Sequence, residues 1–131
     1  MEIILTYDKE GGIDPLDLLG DITISADGTI SEACTYLDSW MHALIEGIVA
    51  MDLNSKYSVD LMDEPDELRF EKSDDRLTIR YGTQRLSVTP LEEFRRCLKK
   101  SATEMVGLLE NHPSFNEVPF LLEVAKYAKT G

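Results

Sequence analysis

The residues that could do chemistry gather in one stretch of the chain, positions 60–75, which read DLMDEPDELRFEKSDD. Eight of these sixteen residues are acidic and two are basic, so the stretch has a net charge of −6. Carboxylates serve in calcium sites, in general acid–base catalysis and on surfaces that bind basic partners. The candidate functional residues taken from this stretch are Asp60, Asp63, Glu64, Asp66, Glu67, Asp74 and Asp75.

The pattern of these carboxylates suits neither a metal site nor catalysis. A calcium loop places oxygen ligands at alternate positions and has a glycine at its sharp turn, and DLMDEPDEL has neither feature. Catalytic carboxylate pairs need one member in a dry pocket that raises its pKa, whereas acids around Pro65 between two strands are expected to face water. The sequence therefore predicts an acidic docking surface, with a merely solvated hairpin as the alternative.

Two further clusters could bind a metal or an anion. Asp38, His42 and Glu46 are spaced four residues apart, which could present three metal ligands, but a solvated helix face with i,i+4 pairs is the more common meaning of this spacing. A basic cluster is partly neutralised by nearby acids and consists of Arg95, Arg96, Lys99 and Lys100. Because no nucleophile stands in a recognisable motif with a base, and no glycine-rich phosphate loop is present, we predict no enzyme, no metal and no cofactor.

Length and charge narrow the class of protein. The 131 residues fit a single domain, residues 1–131, with a net charge of −12. The charge is uneven, since residues 1–75 carry −15 and residues 76–131 carry +3. An acidic total argues against nucleic-acid binding, which needs basic groups, and is compatible with a basic protein partner.

Cysteine usage and hydropathy predict the location. Cys34 and Cys97 lie far apart, in no metal-like spacing, and are expected to be buried, reduced thiols in the cytoplasm. The first twelve residues lack the features of a signal peptide, and no apolar run is long enough to cross a membrane. We therefore expect no membrane association.

The middle of the chain predicts an antiparallel meander, because apolar and polar residues alternate through four short segments between positions 57 and 89. If Ser73-Asp74 is a two-residue turn, counting outward pairs Glu67 with Arg80 and Glu71 with Arg76 on the polar face. A second turn at Gly82-Thr83 places Arg80 opposite Arg85, an unfavourable pair.

Helical patterns flank this meander. A capping box at Thr29 and Glu32, with Ser31 as an alternative cap, predicts a helix that runs to Met51, and Thr89-Pro90 predicts the start of a second helix. Two strands near residues 3–7 and 21–25 precede them, and a short helix near residue 119 follows. The predicted fold class is α+β, an antiparallel sheet of five or six strands with two long amphipathic helices packed on one face.

This order of strands, amphipathic helix, four-strand meander and Thr-Pro-capped helix, in a small acidic chain, resembles the immunity proteins of bacterial polymorphic toxin systems. The resemblance rests on layout and composition over roughly residues 21–110. It implies a cytosolic protein without catalytic activity that binds a toxin domain and blocks it. Two alternatives stay open: a structural or regulatory subunit that forms a homodimer through an exposed strand edge, and a small-ligand-binding domain.

Overall fold

The structure, a computed structural model, describes residues 1–10, 12–62 and 64–130. In these ranges the helices are α1 (Leu37–Ala50), α2 (Leu91–Leu109) and α3 (Pro119–Lys129). The strands are β1 (Glu2–Tyr7), β2 (Leu19–Tyr36), β3 (Lys56–Asp60), β4 (Glu67–Ser73), β5 (Arg76–Tyr81) and β6 (Gln84–Val88). Two short 3-10 turns lie at Pro15–Asp17 and Phe115–Glu117.

The strand β2 folds back on itself. Its 18 residues would span about 60 Å if they were fully extended, yet the backbone N–H of Leu37 donates to the carbonyl of Leu18 at 2.9 Å. The Cys34 N–H also donates to Asp21 Oδ1 at 3.0 Å. Both contacts are symmetric about Asp27-Gly28, where the glycine has a φ of +102° that suits a residue without a Cβ.

The six strands form one antiparallel sheet in the order β1-β2-β6-β5-β4-β3. Counted with the two arms of β2, the sheet formed by the described residues has seven strands, and three helices accompany it. The predicted α+β class with an antiparallel sheet is therefore confirmed. The count of strands is higher than predicted because β2 contributes two arms, and α3 corresponds to the short helix that was expected near residue 119 after the two long ones.

The helices cover one face of the sheet. Phe70, Ile79 and Leu86 lie opposite one another on β4, β5 and β6, and all three are buried. The helix α1 approaches β4 so closely that a Cβ added to Gly47 would lie 2.1 Å from Phe70 Cε1. Only glycine therefore lets α1 lie on Phe70, and this contact fixes the height of the helix above the sheet.

The predicted start of the first helix was wrong. The helix begins at Leu37 rather than at the capping box of Thr29 and Glu32, because residues 29–36 form the second arm of β2. Thr29 lies opposite Arg85 on β6, and Ile30 is fully buried. β-branched residues suit a half-buried strand, and the sheet supplies this segment with backbone partners. Cys34 in this arm is exposed and Cys97 on α2 is partly exposed, so the expected burial of both thiols was wrong.

The predicted start of the second helix is displaced by a short distance. α2 begins at Leu91, whose N–H donates to the carbonyl of Asp75 at 2.8 Å. The residue that precedes the helix is Pro90, which is joined to Thr89 by a cis peptide bond, so Thr89 does not occupy the cap position. The apolar stripe of α2 is buried as predicted and consists of Leu91, Phe94, Leu98, Ala102, Met105 and Leu109.

The predicted register between β4 and β5 was also wrong, by two residues. Ser73 lies opposite Arg76, so the turn is Asp74-Asp75. Asp74 has a φ of +53°, in the left-handed region that Asp tolerates better than most residues. A two-residue shift keeps every side chain on its predicted face, but it replaces the predicted pairing of Glu67 with Arg80.

Candidate functional site: the open face of the sheet

The sheet face opposite the helices carries charged side chains on β3, β4, β5 and β6. The side chain of Arg69 is 68% exposed and that of Arg80 is 50% exposed, so both lie open to solvent. We define the open face by the outward-pointing residues of these four strands: Lys56, Ser58, Asp60, Glu67, Arg69, Glu71, Arg76, Thr78, Arg80 and Arg85.

Three arginines lie side by side across the open face. Arg69 on β4 is directly opposite Arg80 on β5, and Arg80 is directly opposite Arg85 on β6. We call these three residues the arginine row. Neighbouring strands are about 4.8 Å apart, so the three arginines leave the backbone at positions that lie within about 10 Å of one another. Like charges directly opposite one another destabilise a sheet, so the row is not explained by the stability of the fold.

The fold neutralises this row only in part. Arg69 Nε donates to Glu67 Oε1 at 3.0 Å, and Arg80 donates to Glu71 Oε2 at 3.4 Å. Arg85 has no ion-pair partner within residues 1–10, 12–62 and 64–130. Exposed pairs of this kind contribute little because water screens them. The row therefore retains uncompensated positive charge toward solvent.

An acidic depression adjoins the arginine row. It has a volume of about 380 Å³ and is lined by Asp60, Pro65, Asp66, Glu67, Arg69, Arg80 and Gly82. Asp60 and Glu67 lie opposite each other on β3 and β4. Arg69 and Arg80 belong to both features, so the open face presents an acidic patch directly beside a basic one.

One predicted site residue, Glu64, turns toward the core instead of the solvent. Its Oε1 accepts a hydrogen bond from Thr35 Oγ1 at 2.8 Å, and its Oε2 accepts one from the Tyr81 hydroxyl at 3.3 Å. Thr35 in turn accepts a bond from Trp40 Nε1 at 2.9 Å. Through these hydrogen bonds Glu64 holds the loop between β3 and β4 against the core. The sequence did not suggest this structural role.

The tyrosine in this network is strongly affected by its surroundings. The ring of Tyr81 packs edge-on against Trp40, with 4.9 Å between the ring centroids. Burial raises the pKa of Tyr81 well above its ordinary value, and the neighbouring carboxylates of Glu32 and Glu64 raise it further. The hydroxyl therefore stays protonated and remains a donor to Glu64.

The remaining predicted site residues fall into two groups. Asp60, Asp66 and Glu67 lie together at the acidic depression. Asp74 and Asp75 form the turn at the other end of β4, which spans seven residues and therefore about 20 Å. Asp63 lies outside the described residues. The acidic stretch is thus divided between two ends of the sheet, and one of its members, Glu64, serves the core.

The other predicted cluster on α1 has a packing role for its histidine. The His42 ring stacks on Phe120 with 4.6 Å between centroids, which ties α1 to α3. Burial raises the pKa of Asp38. No group of three His, Cys, Asp or Glu side chains that could hold a metal ion occurs in the described parts of the chain. The expectation that no metal binds stays a prediction.

Both arginines of the basic cluster of α2 are paired with carboxylates. Arg95 bonds to Asp52 at 2.5 Å and to Glu92 at 3.0 Å, while Arg96 bonds to Glu93. Lys99 donates to the backbone carbonyl of Thr130. This cluster differs from the arginine row in its pairing, because three carboxylates contact its two arginines, whereas two carboxylates contact the three arginines of the row.

Sequence reasoning found only part of the arginine row. The turn at Gly82-Thr83 correctly places Arg80 opposite Arg85. Arg69 was missed because the preceding turn was assigned one position too early, which placed Glu67 there instead. The pair that would have corrected this is Asp74-Asp75, since Asp favours turn positions more strongly than the serine at position 73.

Comparisons with known proteins give this site no precedent. No family model matches the chain, and no curated protein or solved structure is significantly similar to it. Among the helices in the described residues, none has the length and apolar character needed to span a membrane. The function is therefore inferred from the geometry and charge of the open face.

Proposed function

We propose that this protein is a small acidic protein-binding domain without catalytic activity, and that its partner docks on the open face of the sheet. The observation that carries the proposal is the arginine row. Opposed like charges cost the fold stability, and the row lies on a face that no helix covers. A partner that supplies the missing negative charge gives these residues a role that folding does not.

The acidic depression supports a protein partner in particular. It places Asp60 and Asp66 beside Arg69 and Arg80, so the surface changes sign over a short distance. Such patterns fix the orientation of a bound protein and penalise wrong partners. The negative net charge of the whole chain would in addition speed the approach of a basic partner.

The specific form we propose is an immunity-type inhibitor of a toxin, located in the cytoplasm. Its acids would meet a basic surface of the toxin, and Asp60, Asp63, Asp66 and Glu67 are the residues we propose for that contact. Cys34 and Cys97 are free thiols, which fits a reducing compartment. The acids of the second group, Asp74 and Asp75, stay candidates for the rim of the interface.

A quantitative capture experiment tests the proposal. The tagged protein is used as bait in extracts of its source cells, alongside an Arg80→Glu variant and an Arg96→Glu control on α2. Arg80→Glu places an acid between two arginines, so it should preserve or improve folding, which thermal unfolding checks. We expect one protein to be enriched by the wild type and the control, and to be lost with Arg80→Glu.

Two outcomes would contradict the proposal. The first is that the unaltered bait enriches no protein above the level of an unrelated acidic bait. The second is a partner that Arg80→Glu retains and Arg96→Glu loses, which would move the docking surface from the sheet to α2. Adding purified partner to the purified variants then measures the affinity change directly.

A further inference from the structure

We infer that the arginine row receives an acidic helix of the partner, with carboxylates on one helix face placed over successive arginines. This inference rests on the proposed function and specifies the chemistry of the partner. It begins from Arg85, the member of the row that has no ion-pair partner in the described ranges. A carboxylate placed there would complete the charge of the row.

The spacing of the row favours a helix over an extended segment. Arg69, Arg80 and Arg85 follow one another across strands at steps of about 4.8 Å. Side chains at i and i+4 on a helix are about 5–6 Å apart, which is close to this step. Same-face side chains of an extended strand are about 6.8 Å apart and lose alignment with the row by the third residue.

The chemistry of the row favours carboxylates. Each guanidinium can hold a carboxylate through two parallel N–H···O bonds. The pairs already present, Arg69 with Glu67 and Arg80 with Glu71, are both exposed, so a partner can displace these weakly held acids at little cost. A third carboxylate can then bind Arg85 without displacing any group.

A nucleic acid is a poorer occupant of this row. Its phosphates form a continuous negative line, and Asp60, Asp66 and Glu67 lie directly beside the row. The chain as a whole also has a net charge of −12. Discrete carboxylates on a helix can be placed over the arginines and kept away from these acids, whereas a polyanion cannot.

The probe is a designed alanine-rich helical peptide of about 18 residues, long enough to be substantially helical. One peptide carries three glutamates at i, i+4 and i+8, and a matched peptide carries glutamine at those positions. A third peptide has the same three glutamates at i, i+5 and i+10, which lie on three different sides of a helix. Binding is followed through the Nε–H signals of the arginines in the NMR spectrum of the ¹⁵N-labelled protein.

We expect the first peptide to shift the signals of Arg69, Arg80 and Arg85 in a saturable way, and to leave those of Arg95 and Arg96 unchanged. The rearranged peptide should bind at least about fivefold more weakly, and the glutamine peptide should not bind. Replacing Arg80 and Arg85 by Gln should weaken binding by about tenfold, since two exposed charge-assisted contacts are lost. Arg96→Gln should have no effect.

The inference is overturned if the three signals do not move, if both glutamate peptides bind equally, or if the arginines of α2 respond as strongly as the row. A short DNA duplex that shifts the row more than the acidic peptide would also overturn it. These failures are separable from failure of the proposed function. A captured partner that Arg80→Glu loses, together with a peptide that does not bind, leaves protein docking intact and removes only the acidic helix.

Discussion

On the covered face of the sheet Phe70 lies opposite Ile79, whereas on the open face Arg80 lies between two other arginines. The same three strands therefore hold an apolar match on one side and a charge conflict on the other. A sheet has one register, and a buried face specifies it strongly because every side chain must keep its packing. On the open face, the same register determines which side chains lie opposite one another. Because these side chains are not packed in a core, their charges can serve binding instead of stability.

The largest effect should come from the covered face. Leu44 on α1 is fully buried, while Leu53 just beyond α1 is 93% exposed. Leu44→Ala should lower the free energy of unfolding by about 2–5 kcal/mol through lost burial and the cavity left behind. Leu53→Ala should change it by less than about half a kcal/mol. Urea unfolding measures both, and a loss below half a kcal/mol for Leu44→Ala would reject the assigned face of α1.

An intermediate effect is expected from Glu64, which joins the two regions. Glu64→Ala removes the acceptor for the hydroxyls of Thr35 and Tyr81, and should lower the free energy of unfolding by about 1–2 kcal/mol. Asp66→Ala, two positions away and exposed, is the matched control and should leave stability almost unchanged. Equal effects of the two variants in urea unfolding would mean that the acidic link is solvated throughout.

The pH dependence of stability should report on the helix-covered side at the edge strand β1. Burial, and then the negative charge of Glu104, raise the pKa of Tyr7 to about 12. Because the unfolded chain releases this proton near pH 10, the folded state binds more protons between pH 10 and 12. The free energy of unfolding should therefore fall with rising pH in this window, and fall less steeply in Tyr7→Phe. An identical slope in both proteins would show that Tyr7 is not responsible.

The smallest effect is expected on the open face itself. Arg80→Gln removes a charge from between two arginines and breaks only the exposed contact with Glu71. The free energy of unfolding should stay within about half a kcal/mol of the wild type, with any change toward higher stability. Thermal and urea unfolding at low salt give the most sensitive measurement. A loss of more than about 1 kcal/mol would show that the row supports the fold, and the contrast between the two faces would disappear.

Much of the fold could be predicted from the sequence, because periodicity reports burial directly. The alternation through β4 and β5 and the stripe from Leu37 to Ile48 on α1 both describe faces that are buried in the structure. The start of α1 could not be predicted in this way. Thr29 and Glu32 satisfy a helix cap as well as a strand, and pairing with β6 decides between the two.

The candidate site was harder to predict because it depends on register and on side-chain direction. Opposite-charge pairing favoured Glu67 facing Arg80, yet exposed pairs contribute only tenths of a kcal/mol and yield to the turn at Asp74-Asp75. Likewise, the sequence gives no sign that one acidic side chain near Pro65 points in a different direction from the others. Hydrogen bonds from Thr35, nearly thirty residues earlier, and from Tyr81 turn Glu64 toward the core while Asp66 stays in water.

The pairing of β2 with β6 has a consequence for the order in which the chain folds. Asp27 lies opposite Ser87, and 60 residues separate them, whereas β4, β5 and β6 are joined by two-residue turns. Closing a long loop costs more entropy and slows folding. We therefore expect β4, β5 and β6 to pair first, and the hairpin of β2 to pair with β6 afterwards. In pulsed hydrogen exchange, the amides of β5 should become protected before those of Asp27 and Thr29, and the reverse order would exclude this route.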